Sequence, residues 1–133
     1  MIAIRFPHIE IGRVIRTPLH KVWDLITDTG RWPLWGPSVS AVVCADRRIR
    51  KGSKGRIRTS VGLWLPFEIT QFEECSRWSW RVAGIEATGH RLEARGDDLC
   101  ALFFSVPLPA FPYLLICHIA LKRIARIAEA RIS

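Results

Sequence analysis

Along most of this chain apolar and polar residues alternate, and at two places the spacing changes to that of a helix. Residues 2–16 read as a first strand with Ile9 and Ile11 on one face. Pro7, which has no N–H to donate, marks an edge position or a bulge within it. From Thr17 the period changes: Leu19, Val22, Trp23 and Ile26 recur at i, i+3, i+4 and i+7 on one helical face. Thr17 is the expected N-cap, Pro18 the first helical residue, and Gly30 the left-handed residue that ends the helix. A Trp-Pro-x-Trp-Gly-Pro turn follows. Its two indoles, Trp32 and Trp35, either close over a cavity or plug a core.

Alternation then resumes. Val39, Ala41 and Val43 mark a second strand, and Ile57, Thr59 and Val61 a third. Leu63, Leu65, Phe67 and Ile69 mark a fourth, with Trp64, Glu68 and Thr70 on its other face. Trp78, Trp80 and Val82 form the inward set of a fifth. A sixth runs from about Glu86 to Ala94, where period-two parity puts Thr88 and His90 on the same face as Leu92. Cys100, Leu102, Phe104 and Val106 belong to a seventh. A last helix begins near Ala110, with Leu114, Cys117, Leu121, Ile124, Ala125, Ala128 and Ile132 as its apolar stripe and His118 on the border. Its first half, Phe111 to Leu121, is apolar nearly all round, as expected of a helix end clasped by a sheet. The pattern predicts an α+β fold: a seven-stranded antiparallel sheet with one buried face, two short helices after the first strand and a long terminal helix.

One stretch tests for a membrane. Leu99 to Leu121 carries no charged side chain and is long enough to cross a bilayer. Pro107, Pro109 and Pro112 lie at its middle, where a spanning helix would lose backbone hydrogen bonds with no water to replace them. A strand, a proline-rich connection and a helix start are expected instead, and no membrane span.

The order of these motifs resembles the START-like SRPBCC superfamily, in particular its polyketide cyclase/dehydrase and lipid-transport branch. The resemblance rests on the helix and Trp-Pro-x-Trp-Gly-Pro turn, the Gly-x-x-Gly turn from Gly52 to Gly55, and the strand RTSVGLWLPFEITQFEE. It continues through WSWRV, the His90 strand ATGHRLEARGDD and the terminal helix, so that it covers the chain as a single domain, 1–133. It implies a helix-grip fold, in which a curved sheet wraps the long helix around a ligand cavity. It does not imply one chemistry, since members include cyclases, lipid carriers, receptors, chaperone-like proteins and a ribosome-associated toxin.

Composition narrows the classes. Hydrophobic residues at 49% and charged residues at 24% exclude a disordered chain. Six Trp against one Tyr favour large apolar filling over phenol chemistry. Cys44, Cys75, Cys100 and Cys117 form no C-x-x-C pair, and no two histidines share a face at ligand spacing, so neither a metal nor another cofactor is expected. With no leader-like segment, the expectation is a cytoplasmic protein with reduced, mostly buried thiols.

The formal charge of +8 favours acidic partners. Its densest cluster, Arg47, Arg48, Arg50, Lys51, Lys54, Arg56 and Arg58, lacks an interleaved aromatic, so nucleic acid is not the expected partner and a solvated basic turn is. Lys122, Arg123, Arg126 and Arg131 add charge to the last helix.

His90 is the candidate catalytic residue: an inward imidazole can take and give a proton near neutral pH. The alternative is a core histidine satisfied by hydrogen bonds. His118, on the facing helix, and Thr88 are candidates to orient a ligand beside it; His8 and His20 show no such convergence. Trp23, Trp35, Phe67, Trp78, Trp80 and Phe104 face inward, and with Leu114 and Leu121 they either fill a solid core or line a hollow. Glu86 shares the parity of His90 but lies near a turn, which leaves no clear partner carboxylate. The leading expectation is a binding protein for a hydrophobic small molecule, as monomer or homodimer. A cyclase or dehydratase using His90 as general base comes second, and a membrane-surface or RNA-interacting protein third.

Overall fold

The alternating segments join into one antiparallel sheet in the computed structural model, which describes residues 1–130. The strands are β1 (Ile2–Arg5), β2 (His8–Ile15), β3 (Val39–Cys44), β4 (Lys54–Thr59), β5 (Trp64–Glu73), β6 (Arg77–Val82), β7 (Ile85–Gly96) and β8 (Leu99–Pro107). Their order in the sheet is β1-β2-β8-β7-β6-β5-β4-β3. Helices α1 (Leu19–Thr27) and α2 (Trp32–Trp35) lie between β2 and β3, linked by a 3-10 turn at Thr29–Arg31. A 3-10 segment, Leu108–Tyr113, leads into the long helix α3 (Leu114–Glu129). This is the helix-grip arrangement. Arg131 and Ile132, assigned above to the last helix, lie outside the described residues.

The sheet has eight strands and not seven, because Pro7 makes a turn where a bulge was one of the expectations. Phe6–Pro7 is a cis peptide, and β1 folds back on β2 with Ile2 opposite Ile11 and Arg5 opposite His8. Two other local expectations also change. Helix α1 starts one residue later than expected, with Pro18 rather than Thr17 as its N-cap and no side chain capping it. Gly30 is not its left-handed terminator: the chain leaves the helix at Asp28 in an extended conformation, and Gly30 donates to the Asp28 carboxylate at 2.9 Å.

What ends α1 is a set of partners for its last four carbonyls, which would otherwise be unsatisfied. Asp24 O accepts from the Asp28 N–H at 3.2 Å and Thr27 O from the Ile49 N–H at 3.1 Å. Leu25 O accepts from the Trp35 indole at 3.1 Å and Ile26 O from the Trp32 indole at 2.9 Å. The two tryptophans of the turn therefore seal the helix end with their N–H groups and fill the space beneath it with their rings.

The inner face of the sheet follows the predicted parity through Ile57, Phe67, Ile69, Trp78, Trp80, Thr88, His90, Leu92, Cys100, Leu102, Phe104 and Val106, all buried. Bulges break that parity elsewhere. One between Val39 and Ala41 turns Val43 out to solvent and brings Val42 to the core. Another, between Ser79 and Arg81, separates Glu86 from the buried Thr88–His90 row; Glu86 is exposed and pairs with His8 at 2.6 Å. Gly55 is needed where β4 meets β3, since a Cβ there would lie 2.4 Å from the Val43 carbonyl oxygen.

Helix α3 packs Cys117, Ala120, Leu121, Ile124 and Ala125 against the core. Its apolar beginning is clasped on one side only: Phe111 and Leu115 stand in solvent. By length and composition the stretch Leu108–Glu129 is apolar enough to cross a membrane, but its buried stripe belongs to the core beneath the sheet.

Candidate ligand-binding groove

The centre of the grip is solid, and it is built from aromatic rings. Trp32 stacks on Trp78 with centroids 5.4 Å apart and planes within 8°, and Trp78 stacks on His90 at 3.8 Å. Phe67 and Trp80 meet Trp32 at 5.4 and 5.2 Å, and Phe104 meets the His90 edge at 4.7 Å. Only about 30 Å³ of hollow remains beside Trp35, Trp78, His90 and Cys117, room for one water molecule. The sequence left open whether the inward aromatics line a hollow or fill a core; here they fill it. Trp32, not among the candidate ligand contacts, lies at the middle of the column. The signal for it was in the sequence, as the first indole of the turn.

His90 belongs to this column. A carbonyl only accepts, so the 3.2 Å contact with Trp78 O places the proton on Nδ1. Nε2 then accepts from the Thr88 hydroxyl at 3.3 Å, and the Thr88 oxygen accepts from the Trp80 indole at 3.0 Å. Each polar atom of this relay, from Trp78 O through His90 and Thr88 to the Trp80 indole, has a partner. Burial pushes the His90 imidazole down to about 3, against a smaller opposing effect of the Trp78 carbonyl. Below the ordinary histidine value near 6.5 the unfolded chain takes up a proton that the folded chain refuses. Stability is therefore complete above about pH 6.5 and falls as pH drops toward 3. Urea unfolding of wild type across that window should show the loss, and His90→Gln, which has no proton to gain, should flatten the slope. An equal slope in the variant would place the acid sensitivity elsewhere. Trp78 Nε1 is buried without a partner among the described residues.

Beyond the aromatic column, at the end where β3 begins and β8 ends, the grip opens. Here Val39, Ile57, Leu65, Val82, Val106 and Pro107 line a predominantly apolar groove of about 320 Å³, closed from above by Ala110 and Tyr113. Polar atoms are few: Ser38, Thr59, Thr88 and Glu86 lie at its edge. Ser38, Val39, Trp80, Thr88 and Tyr113 border both this groove and the inner hollow, and Trp80 is the largest side chain of that shared wall. The Ser38 and Tyr113 hydroxyls meet at 2.6 Å and tie the α2–β3 connection to the start of α3 across the groove. The inward positions Ile57, Leu65, Val82 and Val106 were legible from alternation, but nothing in it separated groove wall from core.

The other candidates are scattered. Trp23 lies at the far end of the core, packed on Phe72 at 5.6 Å with its indole donating to Glu74 at 2.8 Å. Leu114 is half-buried at the edge of the core. His118 does not share space with His90. One step along the helix turns it about 100° past Cys117, and it is exposed beside Ile11, Arg13 and Leu121 on the β2 side. Among the described residues no three His, Cys, Asp or Glu side chains come together as a metal site.

The cysteines are free, but Cys75 is exposed and Cys44 half-buried, so two of the four fall short of the expected burial. The basic turn is partly neutralised, with Arg47 on Asp28 at 3.0 Å, Arg48 on Asp24 at 2.7 Å and Arg50 on Asp46 at 3.5 Å. It also has an aromatic neighbour that the linear sequence hid: Arg56 lies 5.6 Å over the Trp64 ring, brought from the next strand by the β4–β5 register.

A curved antiparallel sheet that grips a long helix and holds an apolar groove at one end defines the class of helix-grip ligand-binding folds. The profile of the family described as polyketide cyclase / dehydrase and lipid transport matches residues 7–107, and the chain belongs to that family. Solved structures of similar shape include XoxI from Bacillus cereus, with a TM-score of 0.73, 11% identity and coverage of 92% of this chain and 96% of that one. CV1439 from Chromobacterium violaceum is similar at a TM-score of 0.68 and 18% identity, covering 94% of this chain and 99% of its own. A conserved protein of unknown function from Enterococcus faecalis aligns with a TM-score of 0.68 at 15% identity, over 98% of this chain and 77% of that one. At such identities the likeness concerns the fold. No protein with a curated description matches the chain.

Proposed function

We propose that this protein binds a small hydrophobic molecule in the groove beside Trp80, with its apolar body against Leu65, Val82 and Val106 and any polar group at the edge near Ser38, Thr59 and Tyr113. The supporting observation is the groove itself: about 320 Å³ of apolar space, left between sheet and helix start in a family described by polyketide and lipid chemistry. Its volume stands at the lower end of the roughly 300–1,000 Å³ common for ligand pockets. That favours a single-ring aromatic, a short isoprenoid or one acyl chain over a polycycle. Burial of apolar area at about 25 cal/mol per Å² supplies most of the affinity.

The catalytic alternative has less support. A general base must reach a substrate proton, whereas both nitrogens of His90 are engaged within the protein and the ring is sealed behind Trp78, Phe104 and Trp35. Binding without chemistry is the simpler reading. Native mass spectrometry of protein purified from its own host is the test, and an apolar adduct lost on mild activation is the expected result. Protein that carries no adduct and takes up no fluorescent apolar probe would refute it.

A further inference from the structure

The chemistry of the groove wall limits what can fill it. Among the described residues no Lys, Arg or His lines it. Its one acid, Glu86, is exposed, stands opposite Arg81 in the β6–β7 ladder and is paired with His8. The Thr88 hydroxyl is engaged by Trp80 and His90, and Thr59 Oγ1 accepts the Leu63 N–H at 3.1 Å. The Ser38 and Tyr113 hydroxyls differ. They meet each other at 2.6 Å and have no other partner among the described residues.

A hydroxyl carries one hydrogen and two lone pairs. Within the pair one hydrogen is spent, so one O–H is left to donate and lone pairs remain to accept. Burial holds the Tyr113 phenol above its ordinary range, against a smaller opposing effect of Ser38, and the group keeps its proton at neutral pH. A ligand hydroxyl, which both donates and accepts, matches what the pair offers. A hydrocarbon leaves it unused. A carboxylate could take the O–H, but it would bring a full charge against an apolar wall that offers no cation among the described residues.

We propose that the Ser38–Tyr113 pair anchors the ligand, and that the ligand is a neutral alcohol or phenol on an apolar body and not a free acid. This rests on the groove-binding reading above and adds to it the class of ligand and the two side chains that select it. A single ring with a short alkyl tail suits the groove volume of about 320 Å³.

Displacement of a neutral fluorescent reporter, N-phenyl-1-naphthylamine, tests it at neutral pH with 4-butylphenol, 4-butylbenzoate and butylbenzene, one apolar body with three different ends. The phenol should displace the reporter at a concentration about tenfold below that of the benzoate. The double substitution Ser38→Ala, Tyr113→Phe removes both oxygens. It should weaken the phenol about tenfold, as for a lost hydrogen bond, and leave butylbenzene unchanged. Tyr113→Phe alone should act in the same direction, and serves if the double variant melts early. A pair that only ties the roof of the groove to the α2–β3 connection would, once removed, weaken phenol and hydrocarbon alike, and that result overturns the proposal. It is overturned as well if the benzoate binds as tightly as the phenol, or if the double variant binds the phenol as wild type does. In each of these cases the reporter is still taken up, so groove binding stands. Wild type that takes up neither the reporter nor any of the three probes refutes groove binding itself, and this inference with it.

Discussion

Trp32→Ala should cost about 3–5 kcal/mol of folding stability, the range for removing a large aromatic from a packed core. The side chain is 1% exposed, stacks on Trp78, meets Phe67 and Trp80, and donates its indole N–H to Ile26 O at the end of α1. The substitution leaves a void that the strands cannot close and a helix carbonyl without its donor. Urea denaturation gives the measurement. Trp64→Ala, which removes a half-exposed indole from the outer face, should change stability by no more than about 0.5 kcal/mol. If the two substitutions cost the same, the aromatic column is not the keystone of the fold.

Val82→Trp should weaken uptake of an apolar ligand by about a hundredfold, or ~2.7 kcal/mol, while costing no more than the roughly 1–3 kcal/mol of a small-to-large change. Val82 is half-buried on the groove wall, opposite Phe67 in the β5–β6 ladder. Strands accept large aromatic side chains, and the added ring has the groove to occupy. Titration with a fluorescent apolar probe measures affinity, and thermal melting reports the fold. Trp80→Ala is the complementary change: it removes the largest side chain of the wall shared by groove and inner hollow, and should lower stability while admitting a larger probe. A Trp80→Ala protein that is destabilised but binds the same probes with the same affinity would make Trp80 core and not wall.

The inner face of the sheet was legible residue by residue. Period-two alternation identified Phe67, Trp78, Trp80, His90 and Phe104 as buried, and the Gly-x-x-Gly turn from Gly52 to Gly55 marked the connection into β4, because both are properties of a few adjacent residues. The three prolines after Val106 likewise announced the break between strand and helix. The fold class followed from these local signals, and the helix-grip topology from the likeness of their order to a known family.

Other features depended on residues far apart in the chain. The bulges at Val39–Ala41 and Ser79–Arg81 arise from how neighbouring strands align, so the parity of Val43 and Glu86 was misjudged. His118 was placed on a helix border, but which side of that border faces β2 is set by how α3 lies on the sheet. The groove was the least legible of all. A cavity is the space left after side chains from many strands have been packed, and no window of sequence contains that difference. Alternation determined which side chains point inward. Only tertiary packing decided that Trp32, Trp78 and His90 fill the centre as a stacked column, and that the smaller Val39, Val82 and Val106 leave the end open, because volume is summed across strands that are distant in sequence and adjacent in space.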